Sequence, residues 1–308
     1  MTIDQRGQDI SGEPQAAADS PPVTRREGFR RFLWSFSRNK LAVVSAVFII
    51  VICLAAVFAP YLTPYPPASQ NLANRLQSPS LSHILGTDAF GRDVFSRVMM
   101  GARVSLAVGF LAVAVLLVIG CAIGLLAGNS HRLDGPLMRV VDLLLAIPGL
   151  FLLLLLVALF GAGVTQTIVF IGVTNWMPMA RLVRGQILSL REKEFIEAAR
   201  SLGGGGRQIM LRHYLPNVMD VILVGATLTI SQVILFESAL SYLGLGAQPP
   251  TPTWGNMLAD GKSYMRSAWW LTTFPGLAIF ATVMSFNFLG DGIRDAMDSR
   301  TQADQSGN

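Results

Sequence analysis

Five runs of this sequence contain no charged side chain, and they constrain the fold more than any other feature. Each run reaches or nearly reaches the roughly 20 residues that an α-helix needs to cross a bilayer. A hydrophobic content of 52% and a charged content of only 14% are likewise typical of a polytopic membrane protein. We therefore predict an all-α membrane protein. The runs are residues 41–59, 104–127, 143–180, 221–236 and 268–290.

The third run is too long for one crossing. As a single helix, residues 143–180 would extend about 57 Å, against a hydrocarbon core of about 30 Å. The sequence Gly161-Ala162-Gly163 offers a flexible break in its middle. We predict crossings at residues 140–160 and 164–180, and six transmembrane helices in all.

The distribution of positive charge predicts the orientation of these helices. Six spans place both termini on the same side, and 18 of the 24 lysines and arginines fall in segments on that side. Because short cytoplasmic loops carry the excess of lysine and arginine, we expect both termini in the cytoplasm. The positive charges flank apolar runs instead of forming a basic stripe, so the net charge of +5 does not indicate nucleic-acid binding.

The segments between the spans predict the domain organisation. Residues 1–24 have no periodic apolar pattern, which favours a disordered cytoplasmic tail. Residues 25–62 combine a basic amphipathic stretch, suited to the membrane surface, with the first transmembrane helix. Further boundaries follow from the spans: a periplasmic segment at 63–103, a five-helix core at 104–295 with a cytoplasmic loop at 191–217, and a cytoplasmic tail at 296–308.

The polar segment between the fourth and fifth spans has its own pattern. Residues 192–202 predict a helix with an apolar stripe that includes Phe195, Ile196 and Leu202. The four glycines at 203–206 interrupt it, a second short helix is expected at 207–214, and Pro216 suits the first turn of the next membrane helix. An apolar stripe outside the bilayer indicates docking to a partner groove, with a loop lying on the lipid surface as the alternative.

Six residues of this segment match the EAA signature of permease subunits of bacterial ATP-binding-cassette importers. The chain resembles that family, and specifically its dipeptide/oligopeptide/nickel branch, through three further stretches at residues 85–106, 240–258 and 289–300. The long N-terminal tail and short first external loop are similar to the C-type permease of that branch. The six matching residues are Glu197, Ala198, Ala199, Gly203, Leu215 and Pro216.

This resemblance implies the type I importer permease fold in the bacterial inner membrane. It implies that the EAA segment is a coupling helix, which docks into a cleft on an ATPase subunit. The implied partners are a second permease subunit in a heterodimer, two cytoplasmic ATP-binding-cassette ATPase subunits and an extracytoplasmic substrate-binding protein. Short peptides are the expected cargo, and nickel chelates, glutathione and opines are alternatives within the same branch.

Polar residues within the spans are candidates for the translocation pathway. Glu237, near the outer end of the fifth span, suits either a gating role or a structural role at an interface. Gln166 and Asn175 make the fourth span polar, which indicates either the pathway or hydrogen bonding between helices. The Pro148-Gly149 and Pro275-Gly276 pairs are expected to allow kinks in the third and sixth spans.

The motifs of catalysis are missing from the sequence. An ATPase needs a phosphate loop of the form GxxxxGK[ST], and the nearest approach, at residues 260–263, lacks the correct upstream glycine. The three histidines lie in separate segments without the spacing of a metal site. We predict no enzymatic activity, no metal and no cofactor, with ATP hydrolysed on partner subunits.

Two functions of other classes compete with this prediction. An ion-gradient-driven secondary transporter requires intramembrane carboxylates or inverted repeats, and mid-span charges are missing here. A membrane scaffold without transport activity is the second alternative, which only an uptake assay distinguishes.

Overall fold

The computed structural model describes residues 25–305, except for the side chains of residues 25–29, 31 and 298–305. Within this range the regular secondary structure is helical, and β-structure is limited to one isolated bridge between Thr87 and Asp93. The all-α prediction is confirmed, while the predicted tail at 1–24 lies outside the described residues. The helices are α1 (Arg25–Arg38), α2 (Lys40–Val57), α3 (Ala59–Leu62), α4 (Val94–Asn129), α5 (His131–Leu145), α6 (Gly149–Phe160), α7 (Val164–Thr174), α8 (Met177–Arg191), α9 (Glu194–Ser201), α10 (Gly206–Ile209), α11 (Leu215–Tyr242), α12 (Trp254–Gly261) and α13 (Trp270–Gln305).

Four helices of the described chain are long and apolar enough to cross a bilayer, and the bent pair α5 and α6 makes a fifth crossing if counted as one. The fourth predicted span, residues 164–180, is divided at Asn175–Trp176 into α7 and α8. Neither part is long enough alone, so the count of six remains a prediction. The four single helices are Lys40–Val57, Val94–Asn129, Gly206–Tyr242 and Trp270–Met297.

The helix α4 lies at the centre and packs against α2, α5, α7, α8 and α11. Its glycines Gly120, Gly124 and Gly128 recur every four residues and face α8. A Cβ atom at Gly124 would lie 2.7 Å from the carbonyl oxygen of Ala180, so the two backbones approach closely only because this residue is glycine. Gly128 packs on Ile187, and the contacts advance in the same direction along both helices, so α4 and α8 run parallel.

The helix α11 crosses α4 in the opposite direction. Ser105 of α4 contacts Glu237 of α11, whereas Gly109, one turn further along α4, packs on Ile234, one turn earlier on α11. The start of α11 therefore lies at the same end of the bundle as the end of α4.

Side-chain hydrogen bonds between separate segments identify the two ends of the bundle. Arg191 Nη1 donates to the carbonyl oxygen of Gly128 at 3.3 Å, which holds the end of α8 beside the end of α4. We call this the Asn129 end. The Tyr65 amide donates to Ser96 Oγ at 3.3 Å, which holds the loop after α3 beside the start of α4. We call this the Asp93 end.

Two proline positions have different consequences. Pro148 lies at the break between α5 and α6, which meet at 82°, so the predicted kink in the third span is confirmed. Pro275 lies inside α13, which continues through it as one helix. Because Pro275 falls in the second turn, its missing N–H removes one of the first hydrogen bonds of the helix, and α13 is not broken there.

The helices extend beyond the apolar runs that predict them. α4 begins at Val94, ten residues before the predicted span, because the Asp93 side chain accepts a 2.8 Å hydrogen bond from the Ser96 amide and caps the helix. α13 continues to Gln305, past the predicted core boundary at residue 295. Apolar runs predict the part of a helix inside the bilayer, whereas caps determine where the helix starts.

Candidate functional site

The helix α9 carries the centre of the EAA segment at the Asn129 end. It starts at Glu194, two residues later than the sequence predicts. Glu194 and Glu197 lie in its first turn and Arg200 in its last, and each charge is favourable with respect to the helix dipole. The sequence thus stabilises a helix of only eight residues that lacks a side-chain cap at its start.

The end of α9 is a Schellman motif. Gly203 has a φ of +85°, its amide donates to the Arg200 carbonyl at 2.9 Å, and the Gly204 amide donates to the Ala199 carbonyl at 3.0 Å. Glycine adopts this left-handed conformation without the steric cost of a Cβ atom. Gly203 therefore turns the chain at the position where the sequence predicts a turn.

The segment after this turn differs from the prediction of a separate second helix. A π-helical turn, Met210–Tyr214, joins α10 to α11, so residues 206–242 form one continuous helix. In a regular helix the ring of Pro216 would clash with the carbonyl group of Arg212, four residues earlier. The π turn immediately before α11 accommodates the proline, and the expectation of two helices is corrected to one short helix, α9, packed beside a long one.

Two contacts hold α9 against this long helix. α9 packs against α10, the first part of the long helix, and Ile196 is fully buried in the core cluster that also contains Ile209 and Tyr214. Arg200 Nη2 donates a hydrogen bond of 3.1 Å to the hydroxyl oxygen of Tyr214. The short helix is therefore fixed to the membrane helix at both of its ends.

The predicted apolar stripe of α9 is divided between two surfaces. Ile196 faces the protein, whereas Leu202 is 89% exposed and Phe195 is 46% exposed. Glu197 and Ala198 are exposed as well. An open cleft lies beside this surface, lined by Ala199, Leu202, Gly203, Gly204, Gln208, Ile209 and His213.

The polar residues of the fourth span lie in two places. Asn175 lines a small cavity together with Thr229 and Gln232 of α11. Its side-chain amide donates to the Ile171 carbonyl at 2.9 Å. Gln166 lies nine residues away beside Gly163, at the other end of α7. The structure does not bring these two predicted pathway residues together.

Glu237 is buried, with 1% of its surface exposed. One carboxylate oxygen accepts from Ser105 Oγ at 3.0 Å and the other from Ser241 Oγ at 2.8 Å. Ser105 also accepts from the Trp254 amide at 3.4 Å, which connects the group to the start of α12. These contacts join α4, α11 and α12 within the chain.

Comparison with known proteins identifies the family. The family model of the binding-protein-dependent transport system inner membrane component matches residues 117–303, more than half of the chain and including the whole EAA segment. The chain belongs to this permease family. The model of the N-terminal transmembrane domain of oligopeptide transport permease C matches residues 29–79.

Relatives of this permease match over nearly its full length. A dipeptide transport system permease protein of Alkalihalophilus pseudofirmus is 42% identical over 295 residues, covering 96% of this chain and 97% of the relative. A di/tripeptide transport system permease of Pseudomonas aeruginosa is 39% identical, covering 92% and 96%. A glutathione transport system permease of Pectobacterium atrosepticum is 42% identical, covering 90% and 92%.

A solved structure shares the fold of the permease. It comes from inward-facing conformations of the MetNI methionine ABC transporter, with a TM-score of 0.55 and 21% sequence identity. The match covers 65% of this chain and 96% of the other. The predicted importer permease fold is confirmed.

Sequence analysis of the permease did not identify Thr229 and Gln232 as candidate pathway residues, although both line the cavity with Asn175. Both lie in an apolar run and share a face of α11, three residues apart. Two polar residues on one face of an apolar helix could have been recognised in the sequence. The residues that lie opposite them in the cavity follow only from the packing of α11 against α7 and α8.

Proposed function

We propose that this permease forms half of a heterodimeric pathway that imports short peptides, driven by two cytoplasmic ATPase subunits and supplied by an extracytoplasmic binding protein. The peptide cargo is supported by relatives that are named for dipeptides, for di- and tripeptides and for glutathione. Glutathione is itself a small peptide, so it is the second candidate cargo. ATP hydrolysis takes place on the partner ATPases.

The coupling role of the EAA segment is carried by one observation. α9 is anchored to the long helix by Ile196 and Arg200, yet Phe195 on it and Leu202 directly after it are exposed beside an open cleft. An exposed apolar side chain on a rigidly held helix is suited to docking, because the helix loses little conformational freedom when a partner binds. We assign the ATPase contact to this surface, with Glu197, Ala198 and Ala199 along α9, Gly203 at its turn, and Leu215 and Pro216 at the start of α11.

The orientation follows from the charge distribution. The Asn129 end carries both the EAA segment and the start of α2, where Asn39 hydrogen-bonds to Asp295 of α13 at 3.4 Å. With this end in the cytoplasm, both termini and the coupling surface face the ATPases, in agreement with the excess of lysine and arginine there. The Asp93 end then faces the binding protein.

The pathway is assigned to the face that carries Asn175, Thr229 and Gln232. Polar side chains in an otherwise apolar bundle are costly against lipid, and a hydrated surface between two permease subunits removes that cost. We assign Gln166, which lies at the other end of α7, to the outer end of the same pathway. For Glu237 the buried serine contacts support the structural role.

Site-specific crosslinking tests the coupling role. In a variant with Cys53 and Cys121 replaced by serine, Ala199→Cys is expected to crosslink to the ATPase in membranes, and the yield is expected to change when ATP binds. Ser189→Cys is the matched control, because Ser189 is exposed near the same end of the bundle but lies outside the EAA segment. Equal crosslinking at the two positions, or none at Ala199, contradicts the proposal.

Uptake into proteoliposomes tests the cargo and the energy source. The assembled subunits are supplied with the binding protein and with a labelled dipeptide, glutathione, a nickel chelate or an opine in turn. We expect ATP-dependent uptake of the dipeptide, and its loss in Glu197→Lys. Uptake that follows an ion gradient without ATP would instead establish a secondary transporter, and no uptake of any compound would favour a scaffold.

A further inference from the structure

Four charged side chains cluster at the Asp93 end, distant from the EAA segment. Asp88 and Arg92 belong to the loop before α4, Arg97 to its first turn and Asp260 to α12. Asp88, Arg92 and Arg97 are each at most 8% exposed, whereas the side chain of Asp260 is 48% exposed. The cluster therefore has three buried members and one that reaches solvent.

The two carboxylates bind the arginines differently. Asp88 Oδ2 accepts from Arg92 Nε at 2.6 Å and from Arg97 Nη1 at 2.7 Å. A single oxygen of Asp260 accepts from the Nη2 atoms of both arginines, at the longer distances of 3.3 and 3.1 Å. Asp88 therefore binds both arginines closely. Asp260 is held more loosely, at the point where the two Nη2 donors converge.

One hydrogen-bond donor of this cluster is not used by either aspartate. Arg97 Nε is buried and has no hydrogen-bond acceptor among the residues that the structure describes. Buried donors in folded proteins nearly always have a partner, so this N–H is hydrogen-bonding capacity that Asp88 and Asp260 leave unused.

A partly open cavity of about 100 Å³ lies beside this cluster. Both arginines, Asp88 and Asp260 form its polar part. Its remaining wall is mainly apolar, which is the usual composition of a site for a small ligand with one charged group. The apolar side chains that line it are Ala89, Phe90, Val94, Met257, Tyr264 and Leu271.

We propose that Arg92 and Arg97 form a binding site for a small carboxylate ligand with an adjacent apolar group, and that Asp260 occupies this site when the ligand is absent. Guanidinium groups recognise carboxylates through paired N–H donors, and two Nη2 groups converge here. The two arginines and two aspartates balance in charge, so an incoming carboxylate displaces Asp260. This displacement costs little because the Asp260 side chain is already half in water and its ion pairs are partly exposed.

The chemistry restricts the ligand. The free carboxylate end of a short peptide, with an apolar last side chain, fits both parts of the cavity. An acidic side chain on a docked protein offers the same carboxylate. The site itself does not depend on the cargo proposed above, since any small apolar carboxylate tests it.

Calorimetric titration of the full-length permease in lipid nanodiscs tests the site. The probe is N-acetyl-leucine, which joins a carboxylate to an apolar side chain, and its neutral amide, N-acetyl-leucinamide, is the control ligand. We expect the acid to bind and the amide not to bind. Asp260→Asn removes the internal competitor, so the Kd for the acid is expected to fall by about fivefold, the upper range for an exposed ion pair.

A control variant separates competition from simple charge. Ser263→Lys also makes the region more positive, at an exposed position one turn from Asp260, but leaves the competitor in place. We expect it to change the Kd less than twofold. If Asp260→Asn does not fold, as judged by circular dichroism, the difference between the acid and the amide on the unaltered chain still decides the question.

Three results overturn the proposal. Equal binding of acid and amide excludes recognition of the carboxylate. No binding of the acid to either protein, with a lower melting temperature for Asp260→Asn, shows that the cluster only fastens α12 to the loop. No binding of the acid, together with altered affinity of Asp260→Asn for the binding protein, assigns the site to a carboxylate of that protein instead.

Discussion

The guanidinium group of Arg200 donates a hydrogen bond of 3.1 Å to the hydroxyl oxygen of Tyr214. Tyr214 is fully buried in the π turn that leads into α11, whereas Arg200 lies in the last turn of an exposed helix. The bond therefore joins the proposed docking helix directly to a membrane helix. We propose that a displacement of α9 is passed to α11 through this contact and through the packing of Ile196.

Replacement of Tyr214 by phenylalanine tests this connection. Tyr214→Phe removes one hydrogen bond and keeps the aromatic packing, so we expect a stability loss of about 1 kcal/mol. If the contact transmits movement, ATP hydrolysis in the assembled transporter should respond less to the loaded binding protein, while the subunits still assemble. An unchanged response at equal assembly would show that the packing of Ile196 is sufficient.

Leu202 tests the docking surface itself. Because the side chain is 89% exposed, Leu202→Asp should leave the melting temperature of the isolated chain nearly unchanged. A charge placed in an apolar interface without a partner is costly, so co-purification of the ATPase should be lost. Leu133→Asp is the control, since Leu133 is an exposed leucine of α5 outside the EAA segment. Loss of the ATPase in both variants would indicate a nonspecific effect.

The glycines after α9 are expected to differ in their tolerance of alanine. Gly203→Ala places a Cβ atom on a left-handed residue and should cost about 1 to 2 kcal/mol. Gly205 has a φ of −70° and open space around it, so Gly205→Ala should be neutral or stabilise by up to about 1 kcal/mol. Thermal unfolding of both variants in nanodiscs measures the difference. A Gly203→Ala variant as stable as Gly205→Ala would contradict the Schellman geometry.

Two substitutions of Glu237 distinguish a structural from a gating role of its carboxylate. Glu237→Ala leaves the hydroxyl groups of Ser105 and Ser241 without their acceptors and is expected to destabilise by about 3 kcal/mol. Glu237→Gln keeps the shape and one acceptor, so most of the stability and the uptake should remain. If Glu237→Gln is stable but does not transport, the carboxylate acts in the pathway after all.

The glycine stripe of α4 provides a test of the fold. A Cβ atom at Gly124 would lie 2.7 Å from the Ala180 carbonyl oxygen, so Gly124→Ala must separate α4 from α8 and should cost about 1 to 3 kcal/mol. A Cβ atom at Gly135, in α5, would meet no neighbouring atom within 4 Å, so Gly135→Ala should stabilise by up to about 1 kcal/mol through helix propensity. Equal unfolding temperatures would show that the stripe does not determine the spacing.

The apolar membrane segments could be identified from the sequence because each one must be apolar along its own length to lie in lipid, whatever its neighbours are. It also located the turn at Gly203, since a left-handed residue favours glycine whatever surrounds it. It was less successful where packing against other helices, and not the local sequence, determines where a helix ends. Residues 164–191 read as one span and a polar extension, yet the chain breaks at Asn175–Trp176 and forms two helices along α4.

The sequence by itself determined the membrane location, the all-α class, the family and the position of the EAA segment, because hydropathy and short motifs are local properties of the chain. Only the tertiary structure decided that Ile196 is buried and Leu202 exposed, although both belong to the same stripe. It also decided that Asp260 meets Arg92 and Arg97, more than 160 positions away, and that Glu237 meets Ser105. Such pairings depend on how distant helices pack, and no local pattern in the sequence records them.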